Sequence, residues 1–239
     1  GGRHVVDAQL PAECQIDLKR LAAFAGARII EGSATGIDPV ARCVHIRGHE
    51  SLAYDALSID TGITPDTRDI AGAEAHALLV KPVSEFAPKW QRVLDRARQA
   101  GGPRRIVAVG GGAAGVELIL AARNRLTAPQ SWEARREDPF HYTLVAGAGV
   151  LAGHPPRARR LAREALERAG VEIVVNDTAV AITPHAVRLR SGRTLPCDAA
   201  MVSTRATAPA WFAATGLARD VGGYLALRPT LQSMSHDDV

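Results

Sequence analysis

Arg105-Ile106-Val107-Ala108-Val109-Gly110-Gly111-Gly112-Ala113-Ala114-Gly115-Val116-Glu117-Leu118 passes from a short apolar run through a glycine cluster into a second apolar run. The first run predicts a strand over 105–109, and the second a helix over about 113–126. Between them, Gly110-x-Gly112-x-x-Gly115 has the spacing of a turn that cradles a dinucleotide pyrophosphate. Each glycine has its own task there. Gly110 allows the sharp turn, and Gly112 lets backbone meet phosphate with no Cβ in the way. Gly115 lets helix and strand pack closely, while the helix N-terminus offers unpaired N–H groups to an anion. The spacing alone is weak because glycine is common; its place between strand and helix gives it weight. Gly110, Gly111, Gly112, Ala113, Ala114 and Gly115 are therefore candidate nucleotide contacts. Glu117 joins them, either facing the nicotinamide end or complementing the helix N-terminus.

Downstream, a polar loop over 127–139 leads to a strand over 141–145, a helix over about 157–169 and a strand over 171–175. The helix carries an apolar stripe at Ala158, Leu161, Ala162, Ala165, Leu166 and Ala169, with Arg–Glu pairs four apart on its other face. Strands and helices that alternate in this way imply a parallel sheet. After it, residues 186–190 turn at Ser191-Gly192-Arg193 into an antiparallel hairpin. The acid that usually closes the strand at 141–145 and takes the adenine ribose is absent. Ala146 stands in its place. Without a carboxylate to bind ribose hydroxyls or repel a 2′-phosphate, strict preference for NADH over NADPH is not expected. Arg157 and Arg159 lie nearby in sequence and read better as helix surface.

The chain also repeats itself. Gly26-Ala27-Arg28-Ile29-Ile30 through Tyr54-Asp55-Ala56-Leu57-Ser58-Ile59-Asp60-Thr61-Gly62 answers Gly170-Val171-Glu172-Ile173-Val174 through Cys197-Asp198-Ala199-Ala200-Met201-Val202-Ser203-Thr204-Arg205. Asp38-Pro39 matches Thr183-Pro184, and Asp55 matches Asp198. Only the second copy is preceded by a glycine turn. The expectation is a duplicated dinucleotide-binding protein seen as a central fragment.

Strands are predicted at 27–31, 43–47 and 52–59, after a helix over 17–25 capped by Asp17 and stopped by Gly26. Residues 63–88, with Pro65, Pro82 and Pro88, read mostly as connection. A helix over about 88–100 places Trp90, Val93, Leu94 and Ala97 on one face. No run of 18 apolar residues appears and the N-terminus lacks a secretory signal core, so no membrane span is expected. Cys14, Cys43 and Cys197 form no CxxC and no metal-ligand spacing, and fit buried or half-buried thiols in a cytoplasmic protein. The net charge of +4 comes from arginines interleaved with acids, and only 4% of residues are aromatic. Nucleic-acid binding is not expected from that pattern, and no metal site or catalytic triad stands out.

Together these stretches, with Gly32-Ser33-Ala34-Thr35-Gly36-Ile37-Asp38, resemble the pyridine nucleotide-disulfide oxidoreductase superfamily over about residues 14–239. Glu13-Cys14-Gln15-Ile16-Asp17-Leu18, Gly153-His154-Pro155 and Gly222-Gly223-Tyr224 through Ser233 resemble its NADH-dehydrogenase-like branch. That branch includes the flavoprotein module fused to some selenide, water dikinases, and so implies a possible fused kinase-like domain. The resemblance implies an α/β fold: a three-layer Rossmann-like nicotinamide-nucleotide domain (83–204) and a truncated Rossmann-like FAD domain (1–82, with 205–239 returning to it). Each carries an inserted antiparallel meander.

The resemblance further implies FAD and NAD(P)H as cofactors, with hydride passing from NAD(P)H to FAD and on to an unidentified acceptor. Ala34, Thr61 and Gly62 would be flavin-domain contacts, and Thr204 would join the glycine turn at the nicotinamide cofactor. Arg205 departs from the family's glycine there, and the absence of CxxC disfavours disulfide exchange. The alternative is a non-catalytic nucleotide-binding or docking module attached to a partner enzyme domain.

Overall fold

The computed structural model describes residues 16–99, 101–127, 140–204 and 206–239. Helix α1 is Leu18–Ala25, strands β1–β3 are Ala34–Asp38, Cys43–Ile46 and Leu52–Ala53, and β4 is Thr64–Pro65. There follow α2 (Ala73–His76), β5 (Ala77–Leu79), α3 (Val83–Ala97), β6 (Arg105–Val109), α4 (Ala113–Thr127) and β7 (His141–Ala146). The order continues with α5 (Pro156–Arg168), β8 (Val171–Val175), β9 (Ala179–Thr183), β10 (Ala186–Leu189), β11 (Thr194–Pro196), β12 (Ala199–Val202) and β13 (Ala206–Thr207). A 3₁₀ turn at Ala210–Ala214 follows. The described residues form two compact units: 65–204, and 16–64 with 206–239.

The larger unit is built on a five-stranded sheet in the order β5-β12-β6-β7-β8. All four pairings are parallel. β6, β7 and β12 are apolar and buried almost end to end, as strands covered on both faces must be. Alternation sorts their side chains into two cores. Ile106, Ala108, Leu144 and Met201 meet Phe86, Trp90 and Leu94 of α3, Ile119 of α4 and Leu166 of α5. Val107, Val109, Val145, Ala200 and Val202 meet Ile182, Val187, Leu189 and Leu195. The second face is thus covered by the antiparallel meander β9-β10-β11, and the three layers are helices, parallel sheet and meander.

The smaller unit holds α1, the meander β1-β2-β3 and the C-terminal turns. Asp17 caps α1, accepting from the N–H groups of Lys19 and Arg20 at 2.9 and 3.2 Å, and Gly26 ends it in the left-handed region at φ 65°. Ile37, Phe212 and Leu217 are its buried apolar side chains, whereas Phe24 of α1 is 91% exposed. The repeat is visible in three dimensions. Asp38-Pro39 closes β1 as Thr183-Pro184 closes β9, and each leads into the second strand of a three-stranded meander.

Several expectations need correcting. Residues 27–31 form no strand, although the equivalent 171–175 is β8. Residues 52–59 give only the two-residue β3, although their counterpart contains β12. A strand needs a neighbour: β8 and β12 lie against β7 and β6, whereas the N–H of Leu57 bonds the carbonyl of Asp238 at 2.8 Å. The stretch 63–88 is not mostly connection, since it holds α2, the edge strand β5 and the start of α3. Helix α3 begins at Val83, not Pro88. Pro88 is exposed inside it, and near the start it forfeits only one helical hydrogen bond. The stripe Trp90, Leu94, Ala97 is buried as expected, with Phe86 extending it and stacking on Trp90 at 6.4 Å. The loop over 128–139, with Cys14 and Arg205, lies outside the described residues. Among the described residues, no helix is long and apolar enough to cross a membrane.

Candidate dinucleotide site

The chain runs from β6 through β7 to β8 on one side, then returns to β12 on the other side of β6, between it and the earlier strand β5. This reversal opens a crevice at the carboxyl ends of β6 and β12, where open α/β sheets receive their ligands. Gly110–Gly115 lies there. Gly110 has φ 125°, reserved for glycine, and its N–H donates to the carbonyl of Val145 at 2.9 Å. The carbonyl of Gly111 accepts from the N–H of Leu151 at 2.7 Å, tying the turn to the segment after β7.

What a Cβ would meet at each position separates the roles of the glycines. At Gly110 it would lie 2.6 Å from the carbonyl oxygen of Ser203, and at Gly111 2.6 Å from Cβ of Ala146. At Gly115 it would overlap the carbonyl oxygen of Gly110 and lie 2.9 Å from Oγ of Ser203. These three are required by packing. At Gly112 it would meet nothing within 4 Å. Gly112 is exposed, and no positive φ demands glycine there. Its bare backbone opens onto space beside the start of α4, whose first bond runs from Val116 N–H to Gly112 O at 3.1 Å. The N–H groups of Ala113, Ala114 and Gly115 therefore lack acceptors within the helix. Open backbone, free N–H groups and a helix dipole fit a pyrophosphate.

The remaining candidates separate. Glu117 is exposed in the first turns of α4. Ala146 ends β7, fully buried against Gly111, so no carboxylate reaches the crevice from that position. Thr204 follows β12, but its hydroxyl donates to the carbonyl of Asp66 at 2.8 Å. Ala34, Thr61 and Gly62 belong to the other unit. Thr61 lines a cavity of about 610 Å³ there, with Leu57, Ile59, Phe212, Tyr224 and Leu227, whereas Ala34 pairs with Ile46 in the meander.

Ser203 is a site residue that local pattern did not single out. Its N–H donates to the carbonyl of Val109 at 2.9 Å and its backbone presses on Gly110. The available signal was its place directly after a strand predicted to lie in the same sheet.

The chemistry of the larger unit is otherwise quiet. Burial pushes the Cys197 thiol up to about 12, which leaves it protonated and unreactive. Asp198, the counterpart of Asp55, pairs with Arg105 at 2.6 Å and accepts the N–H groups of Arg104 and Arg105 at 3.0 and 2.9 Å. The Arg105 side chain holds its carboxyl well below the usual carboxylate range, and the pair pins the start of β12 to the start of β6. No group of His, Cys, Asp and Glu among the described residues is placed to hold a metal.

Sheet order, switch-point glycine turn and meander layer define a Rossmann-type dinucleotide-binding protein. Residues 16–239 match the family model for pyridine nucleotide-disulphide oxidoreductase, and the chain belongs to that family. No curated protein matches the sequence. Among solved structures, the sulfide:quinone oxidoreductase of Aquifex aeolicus is similar at TM-score 0.80 and 18% identity, over 99% of this chain and 57% of that one. Reduced CoADR-RHD of Bacillus anthracis is similar at 0.78 and 20%, over 98% and 41%. The NAD-dependent persulfide reductase of A. fulgidus is similar at 0.76 and 20%, over 98% and 44%. The chain spans about half the length of these structures, and likeness at such identity establishes the fold.

Proposed function

We propose that the chain is part of an FAD-dependent NAD(P)H oxidoreductase in which the larger unit, residues 65–204, forms the nicotinamide-nucleotide domain, since β5 before residue 83 is an edge strand of its sheet. The flavin side is drawn from the other unit, residues 16–64 and 206–239. The single observation that carries this reading is Gly112, the one glycine of the turn whose side chain would meet no protein. A glycine that packing does not require, at the mouth of a switch-point crevice, is accounted for by a ligand approaching its backbone. Gly112, Ala113 and Ala114 would hold the pyrophosphate through their N–H groups, and Gly110, Gly115 and Ser203 would hold the turn that presents them. When bound, NAD(P)H supplies a hydride for the flavin. The apolar cavity beside Thr61 has the size and lining of a cofactor pocket and supports a flavin-side role for its unit.

The test has two arms. Calorimetric titration of the chain with NADH and NADPH should show saturable binding, which the absence of heat for both would refute. The protein that contains this chain should show flavin absorbance that bleaches anaerobically on adding NAD(P)H. Flavin that stays oxidised would instead support the docking-module alternative.

A further inference from the structure

At the carboxyl ends of β7 and β8 lies a second cavity, of about 500 Å³, lined by Gly147, Asn176, Asp177, Thr178, Arg190 and Ser191. Gly147 directly follows Ala146, the buried residue where a ribose-binding acid was expected. The cavity is stitched together by the hairpin. Asn176 N–H donates to the carbonyl of Gly147 at 3.0 Å, and Arg190 N–H to the carbonyl of Thr178 at 2.8 Å. A Cβ on Gly147 would lie 2.6 Å from Cγ2 of Thr178, so glycine keeps this wall thin. One strand, β7, lies between β8 and β6, so the cavity stands within about 10 Å of the glycine turn at two strand spacings.

Two charged side chains line it, and they are not equivalent. Asp177 keeps its negative charge, and its carboxylate oxygens are engaged by the hairpin: Oδ1 accepts Thr178 N–H at 2.9 Å and Ser191 N–H at 3.2 Å, and Oδ2 accepts the Ser191 hydroxyl at 2.5 Å. Arg190 is exposed and spends only Nε, donated to Oγ1 of Thr178 at 3.2 Å. Among the described residues, its two terminal nitrogens have no protein acceptor. That bond holds the planar guanidinium by its stem and leaves its outer edge for a doubly charged anion.

We propose that Arg190 is a specificity-determining residue that takes the 2′-phosphate of NADPH. The hairpin guanidinium thereby favours the phosphorylated cofactor at a site whose strand end carries no acid. This rests on the nicotinamide-nucleotide reading above. The test is calorimetry of the 239-residue chain and of Arg190→Ala and Arg190→Lys with NADPH and NADH, repeated with adenosine 2′,5′-bisphosphate and 5′-AMP. The parent should prefer NADPH about ten- to hundredfold, the effect of one charge-assisted hydrogen bond. Arg190→Ala should bring the two cofactors within about threefold by weakening NADPH alone, and Arg190→Lys should keep part of the preference. The adenosine phosphates should repeat the pattern. An unchanged NADPH-to-NADH ratio in Arg190→Ala would overturn the assignment and leave the glycine-turn reading intact. Failure of the parent to bind either cofactor would overturn both.

Discussion

Replacing Gly112 with valine separates a glycine required for ligand from one required for packing. The new side chain meets no protein atom within 4 Å of its Cβ and no positive φ strains it. The structural penalty is therefore that of a poor N-cap for α4, about 1 kcal/mol. For a unit of this size that lowers Tm by only a few degrees. The penalty for the nucleotide is far larger. The branched side chain fills the space that the pyrophosphate must enter and denies it at least two N–H donors. Hydrogen bonds to charged groups contribute about 1.5–3 kcal/mol each, so affinity should fall by two orders of magnitude or more. Gly115→Ala provides the contrast, because its Cβ would overlap the Gly110 carbonyl oxygen and force strand and helix apart. Overpacking of that kind costs about 1–3 kcal/mol or more. Thermal melts and NADPH titrations of the three proteins give the comparison. A Gly112→Val protein that binds as the parent does would refute the ligand role. A Gly115→Ala protein that melts with the parent would refute the packing argument.

Asp198 is held in its charged form by Arg105, so its contribution to stability is complete above the ordinary carboxylate range near pH 4 and is lost as pH falls below it. Asp198→Asn should cost about 2 kcal/mol at pH 7 and flatten the acid limb of a urea-midpoint profile, whereas parallel profiles for mutant and parent would contradict the pairing. Cys197, with its thiol pushed up to about 12 by burial, should label with a thiol reagent at pH 8 only after denaturation, and more slowly than half-buried Cys43 by peptide mapping. The sequence holds a single GxGxxG turn, so this 239-residue chain should purify colourless; near-stoichiometric flavin absorbance would show a phosphate site other than a glycine turn.

Local pattern found what local chemistry determines. Strand β6, the turn and α4 stood where the apolar runs and glycines put them, and so did β8 and the α1 caps. What it missed depends on neighbours distant in sequence. Ala77-Leu78-Leu79 is too short to show a period and becomes a strand because β12 offers it a parallel partner. The opposite error has the same cause. Arg28-Ile29-Ile30 resembles Glu172-Ile173-Val174, yet only the second has β7 alongside, and an extended run without a partner keeps its polar backbone for water.

The candidate site divides along the same line. Gly110, Gly112 and Gly115 were legible because three glycines at fixed spacing encode one turn, although which of them packing leaves open emerged only from the surrounding atoms. The missing acid at Ala146 was legible because that position closes its strand. Arg190 was not. It lies at the far end of the meander and reaches the cavity only through the bonds between Gly147 and Asn176 and between Thr178 and Arg190. In sequence it is one arginine among many on a solvated surface. Folding gives it a distinct task by engaging the oxygens of Asp177, the other charge at the cavity, in the hairpin, and leaving a guanidinium edge beside the end of β7, which carries no carboxylate.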